Sequence, residues 1–230
     1  MTRYQKFLCA AFAIAWAWAA YKPLYRDDWL LENYLVFVAV PLIFIVGRYF
    51  KLSSVSYTLI TIFLILHVIG SHYTYAEVPI GEILKDWFNT ERNMYDRLVH
   101  FGFGFLLAYP AREVFVRLSQ VKGFWGYYFP LDVVLAGSAF YEIIEWLAAQ
   151  KVDAEAGLAF LGSQGDIWDA QKDMLVAGIG AFIAMLIIFL INRRFNKSHW
   201  QEIWSSLKIP KGDRPLGEER LKEFLKKANK

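Results

Sequence analysis

Six stretches of the chain are apolar enough and long enough to cross a bilayer as helices, which takes about 20 mostly apolar residues and fewer inside a bundle. The clearest is 174–191, whose 18 residues carry no charge and which Asn192, Arg193 and Arg194 stop. Residues 7–21 are apolar after Arg3 and Lys6, and 30–46 carry one carboxylate, Glu32, before ending at Arg48 and Lys51. Residues 55–69 are uncharged, 98–116 run across Pro110, and 129–147 contain Glu142 and Glu145. The pattern predicts an all-α polytopic transmembrane helical bundle of about six spans over 1–192. A short basic cytoplasmic tail follows over 193–230. Within the tail, 200–207 and 217–228 are short amphipathic pieces suited to a membrane surface.

Composition agrees with the pattern. Hydrophobic residues make up 57% of the chain and charged residues 20%, against about 25% charged in a soluble domain. So much apolar surface needs lipid around it. The net charge of +3 divides into +6 for the tail and −3 for the rest. A basic tail on a hydrophobic body fits membrane lipids as partners, and no nucleic acid. The single cysteine, Cys9, excludes an internal disulfide framework and a Cys-based zinc site. The 15 glycines form no phosphate-binding or dinucleotide pattern.

Lysine and arginine near the span ends favour a bacterial inner-membrane protein with both termini in the cytoplasm. Residues 1–21 also share features with a secretory signal peptide, whose removal would leave five spans. Trp16 and Trp18 crowd the cleavage site and favour a retained span. Trp16, Trp18, Trp29, Trp87, Trp125 and Trp168 fall near the expected interfaces and read as belt anchors. Gly102, Gly104, Gly178 and Gly180, spaced two apart in each pair, permit close helix contact. His67 reads as a packing residue and His199 as a solvated tail residue.

Charges inside spans are costly and mark function. Asp96 and His100 are four apart on one helix face, and Glu142 and Glu145 are three apart on another. Asp166, Asp169 and Asp173 enter the last span. In the inferred orientation all three sets fall at the periplasmic ends of their helices. One imidazole among several carboxylates suits a divalent cation such as zinc, manganese, iron or magnesium. The candidate ligands are His100, Glu142, Asp169 and Asp173. Asp96, His100, Glu142, Glu145 and Asp169 are candidate catalytic acid–base groups, and Arg97 would grip a lipid headgroup or another anion. The same residues could instead form a proton-coupled transport gate, or a polar network that fixes helix register with Glu145 and Asp166 wet.

The runs Arg92-Asn93-Met94-Tyr95-Asp96-Arg97, Tyr141-Glu142-Ile143-Ile144-Glu145-Trp146 and Gln164-Gly165-Asp166-Ile167-Trp168-Asp169-Ala170-Gln171-Lys172-Asp173-Met174 carry a resemblance, together with 23–29 and 72–75. Over residues 5–192 the chain resembles the YjdF-like family of small bacterial inner-membrane proteins, which has no assigned reaction. A more distant likeness is to VanZ-like membrane proteins, linked to glycopeptide resistance and the cell envelope. Asp96, Arg97, His100, Phe101, Glu142, Asp169 and Gly178 fit that second pattern, while Asp173 stands where asparagine is usual. The second likeness implies a site that acts on envelope lipids.

Overall fold

A computed structural model describes residues 1–150, 164–209 and 217–228. Nine helices are found among the described residues: α1 (Arg3–Ala20), α2 (Arg26–Tyr49), α3 (Ser54–His72), α4 (Pro79–Phe88), α5 (Tyr95–Leu118), α6 (Trp125–Ala149), α7 (Asp169–Phe195), α8 (His199–Ser206) and α9 (Glu218–Ala228). Six have 18 residues or more and cover the six apolar stretches. Of these α2, α3 and α7 combine length and apolar character sufficient to cross a membrane. The other three, α1, α5 and α6, have the length but no stretch as apolar as those of α2, α3 and α7.

Side-chain contacts give the directions. Tyr4 meets Thr58 at one end of α1 and α3, and His72 reaches the Ala19 carbonyl at the other, so these two run parallel. Phe63 stacks edge-on against Phe103, while Ser53 and Ser56 bond Glu113, so α5 runs antiparallel to α3. Phe115 meets Phe129, and Phe103 lies against Gly137, which makes α6 antiparallel to α5. The N-termini of α5 and α7 therefore lie at the same end of the bundle as the C-termini of α1, α3 and α6.

Helices α5 and α7 make the tightest parallel pair. A Cβ on Gly104 would strike the backbone of Ala177 and Ala181, and one on Gly180 would strike the backbone of Phe101 and Phe105. Ala108, Ala177, Ala181 and Ala184 fill the rest of the seam, all buried. Counting these alanines, Gly104/Ala108, Ala177/Ala181 and Gly180/Ala184 are all small residues four apart. The seam thus has the small-xxx-small form, which the glycines two apart conceal in the sequence. Gly102 and Gly178 face side chains instead, those of Leu66 and Leu135.

Other expectations change in the structure. Trp29 is buried, its ring against Trp16, and the Trp16 indole N–H donates to Asn33 at 2.8 Å. These two tryptophans lock α1 to α2 rather than sit in the interface belt: the Trp16 indole has its acceptor on α2 and its ring covers that of Trp29. His67 is a packing residue, held between the Glu32 carbonyl at 3.1 Å and the Tyr75 hydroxyl at 2.5 Å. His199 is buried, 4% exposed, against Phe189 and Tyr127. It is not solvated, because α8 folds back on α6, where Ser206 accepts from the Phe124 amide and the Trp125 indole donates to the Ser206 carbonyl. The two amphipathic tail pieces form α8 and α9.

The seam makes a direct prediction. Gly104→Leu should destabilise the protein by about 1–3 kcal/mol, the usual cost of overpacking, read as a lower melting temperature in detergent. Gly102→Ala, whose added methyl meets only Leu66 and Leu106 side chains at 3.4 and 3.8 Å, should leave melting nearly unchanged. Equal effects would contradict the backbone-to-backbone contact.

Candidate functional site

The parallel seam sets the first turns of α5 and α7 side by side, and α6 brings its last turns against α5. Their ionisable residues meet there. The Arg97 guanidinium donates to Asp169 Oδ1 at 2.6 Å and to the Asp169 carbonyl at 3.3 Å. It also pairs with Asp166 at 3.4 Å and with Asp173 Oδ2. Arg92 pairs with Asp169, with Asp96 at 3.3 Å and with Asp166 at 3.9 Å. Two buried arginines and four aspartates thus share one network, in which each charge has a partner that offsets its desolvation. Asp96 and Asp169 also lie in the first turns of their helices, where the backbone dipole favours negative charge.

At the rim, Lys172 donates to Asp166 at 2.7 Å, and the Trp168 amide donates to its other oxygen at 3.1 Å. The Lys172 hydrogen bond holds the Asp166 carboxyl below its ordinary value. The loop before α5 is clasped as well. The Asn93 amide donates to Gln164 Oε1 at 2.8 Å, and Gln164 Nε2 donates back to the Asn93 carbonyl at 3.3 Å. The Asn93 side chain accepts from the Tyr95 amide and donates to Val78 and to Glu82. That last bond holds the Glu82 carboxyl below its ordinary value. Asn93 therefore ties together α4, the start of α5 and the segment leading to α7.

Below the arginines the balance changes. His100 Nε2 stands 3.6 Å from Asp96 Oδ1 and 3.5 Å from Glu142 Oε1, between α5 and α6. Asp96, His100 and Asp173 each bring one ligand atom within 4.8 Å of the other two. Asp173 is 2% exposed, and its Oδ1, like Glu142 Oε1, is buried without a hydrogen-bond partner. Around this point five carboxylates (Asp96, Glu142, Asp166, Asp169 and Asp173) face the three cations Arg92, Arg97 and Lys172. Among the described residues, two carboxylates of this group would lack a counter-charge if all five were ionised and His100 neutral.

A second set of polar groups lies beside it. The Tyr141 hydroxyl donates to Glu32 Oε2 at 3.1 Å, and the His100 and Tyr141 rings meet edge-on at 6.2 Å. Glu145 is half-buried, and its strongest like-charge neighbours are Glu32 and then Glu142.

The structure brings all the candidate residues to one end of the bundle. It divides them differently from the sequence reading. Asp169, a candidate ligand, faces two guanidinium groups, and Asp96 takes its place in the closest trio. Arg97, a candidate anion grip, has three protein carboxylates as its partners. Two members went unnoticed in the sequence as site residues. Arg92 lies in a loop outside any helical period, although its spacing of four from Asp96 was a signal. Glu32 stood out as the one charge in its span, but nothing in its own helix shows which helix it meets.

Residues 4–194 match a family described as predicted membrane protein (DUF2238). The chain is 41% identical over 161 residues to the inner membrane protein YjdF of Escherichia coli (strain K12), covering 70% of this chain and 77% of that protein. No solved structure matches it.

The network predicts a coupling. Arg97→Met leaves buried carboxylates short of a partner and should cost about 3–5 kcal/mol, measured by unfolding in detergent. Adding Asp173→Asn should recover part of that loss, since it removes one stranded charge. A double variant no more stable than Arg97→Met alone would contradict the pairing.

Proposed function

The chain belongs to the DUF2238 family of predicted membrane proteins, and we propose that it is a six-span inner-membrane protein holding a divalent cation for chemistry on an envelope lipid. Asp96, His100 and Asp173 are the ligands in this reading, with Glu142 the fourth group in reach. One observation carries it. Arg97 holds one carboxylate oxygen of Asp173, the other is buried without a donor, and the Asp173 carboxylate stands beside Asp96 and His100. A buried carboxylate oxygen without a donor costs several kcal/mol unless a cation or a proton meets it, and an imidazole and a second carboxylate beside it favour the cation.

The ligand set of one imidazole and two or three carboxylates suits zinc, manganese or iron. Ligand atoms about 2.0–2.2 Å from one tetrahedral ion stand about 3.3–3.6 Å apart; His100 Nε2 and Asp96 Oδ1 are 3.6 Å apart, and the whole trio lies within 4.8 Å. Arg92 and Arg97 act as supports that fix Asp96, Asp169 and Asp173, as groups behind metal ligands usually do. Glu142 and Glu145, close to the trio but outside the arginine network, are the acid–base candidates. Lysine and arginine at the opposite end support a cytoplasmic placement there, which puts the site on the periplasmic side. The likeness to an inner-membrane protein supports the location, and the distant VanZ-like resemblance supports an envelope lipid as substrate.

A second reading has its own support. Near His100, the pairs Glu32–Tyr141 and His67–Tyr75 set exchangeable groups across α2, α3 and α6. In that reading the cluster is the gate of a small proton-coupled transporter, or part of an accessory membrane protein.

Elemental analysis decides between them. Protein purified without chelator should carry close to one divalent metal per chain. His100→Ala and Asp173→Asn should each lower its retention at least about tenfold, while both variants stay monodisperse. Metal content that both substitutions leave unchanged would overturn the cation site. So would a metal-free wild type, and proton-driven solute flux in liposomes would then be the reading to test.

A further inference from the structure

At the other end of the bundle α1 and α2 part. Near the acidic end they are joined through Trp16, Asn33 and Trp29, and Ala19, Val36 and Val68 close a small core between α1, α2 and α3. Beyond that core α1 stays on α3 while α2 leans away, and a cavity of about 680 Å³ opens between the three helices. Its volume falls within the range of small-molecule sites, about 300–1,000 Å³.

The walls are graded. Inside, Leu8, Phe12, Val40, Ile43 and Leu64 present apolar surface, and toward the mouth Arg48 and Lys51 stand on the α2 side. Both basic residues are exposed, and neither has an ion-pair partner among the described residues. Two unpaired cations over an apolar cleft, at the depth where a membrane helix ends, match one kind of molecule. It has a negatively charged head in the headgroup layer and a hydrocarbon chain directed toward the membrane centre.

We propose that this cleft binds an anionic phospholipid, one acyl chain between α1, α2 and α3 and its phosphate against Arg48 and Lys51. The chain fills a space that water would enter at a cost, and the headgroup neutralises both cations. The site lies at the opposite end of the bundle from the acidic cluster and does not depend on the cation reading.

Cys9, the only cysteine of the chain, lines the cleft and reports its occupancy without any added label. The experiment measures the rate at which N-ethylmaleimide alkylates Cys9 in the full-length protein in detergent, with added phosphatidylglycerol or phosphatidylcholine of the same chain length. Phosphatidylglycerol should slow alkylation at least fivefold more than phosphatidylcholine does. In the Arg48→Gln/Lys51→Gln variant the two lipids should protect equally, because the phosphate has lost both cations at the mouth while the apolar walls are unchanged. Comparing lipids within each protein removes any change in the reactivity of the thiol itself. Equal protection by both lipids in the wild type would overturn the proposal. So would no protection by either, or a phosphatidylglycerol preference that survives in the variant.

Discussion

Helices α5 and α7 approach so closely that a methyl group on Gly104 would strike the backbone of Ala177, and one on Gly180 would strike that of Phe101. No hydrophobic force draws two helices together inside lipid, so contact between them depends on backbones that can touch. The glycines and the buried alanines of the seam allow that. Since the pair is parallel, contact at mid-membrane also aligns the first turns, and Arg97 arrives opposite Asp169 and Asp173. A parallel pair with larger residues in the seam would hold these groups apart, each facing lipid or water. Here they meet where partial exclusion of water makes every charge depend on its neighbours.

Much of this could be read from the sequence, for physical reasons that differ by feature. The long helices are legible because crossing a bilayer demands a long apolar run, and each of the six apolar runs lies almost wholly within one helix. Asp96 and His100 share a face because four residues make slightly more than one turn. That rule works within a helix and says nothing across helices. Which carboxylate an arginine neutralises depends on the order of helices in the bundle. For that reason Asp169 and Asp96 exchange places between the two readings, and Arg92 goes unseen in its loop. Trp29 and His199 were misplaced for a related cause. An aromatic near a span end reads as interfacial, and a tail histidine as solvated, until a neighbouring element covers it; only the fold shows Trp16 over Trp29, and Tyr127 of α6 and Phe189 of α7 over His199.

The two ends of the bundle contrast. At one, α5, α6 and α7 converge on an acidic, densely cross-linked cluster, with Asn93 clasping three segments around it. At the other, basic residues ring a bundle whose first two helices have parted. There Glu113 accepts from the Ser53 amide at 2.9 Å and from Ser56, so α3 and α5 stay locked while α2 leans away. The same bundle therefore carries an acidic, cross-linked cluster at one end and an open cleft edged by Arg48 and Lys51 at the other.

The central claim is that Asp96, His100 and Asp173 surround a cation. X-ray absorption at the edge of whatever metal the purified protein retains tests it most directly. A cation held by these residues has a shell of oxygen and nitrogen only, with scattering from a single imidazole that disappears in His100→Ala. A sulfur in the shell, several imidazoles, or a spectrum that His100→Ala leaves unchanged would place the metal elsewhere and contradict it.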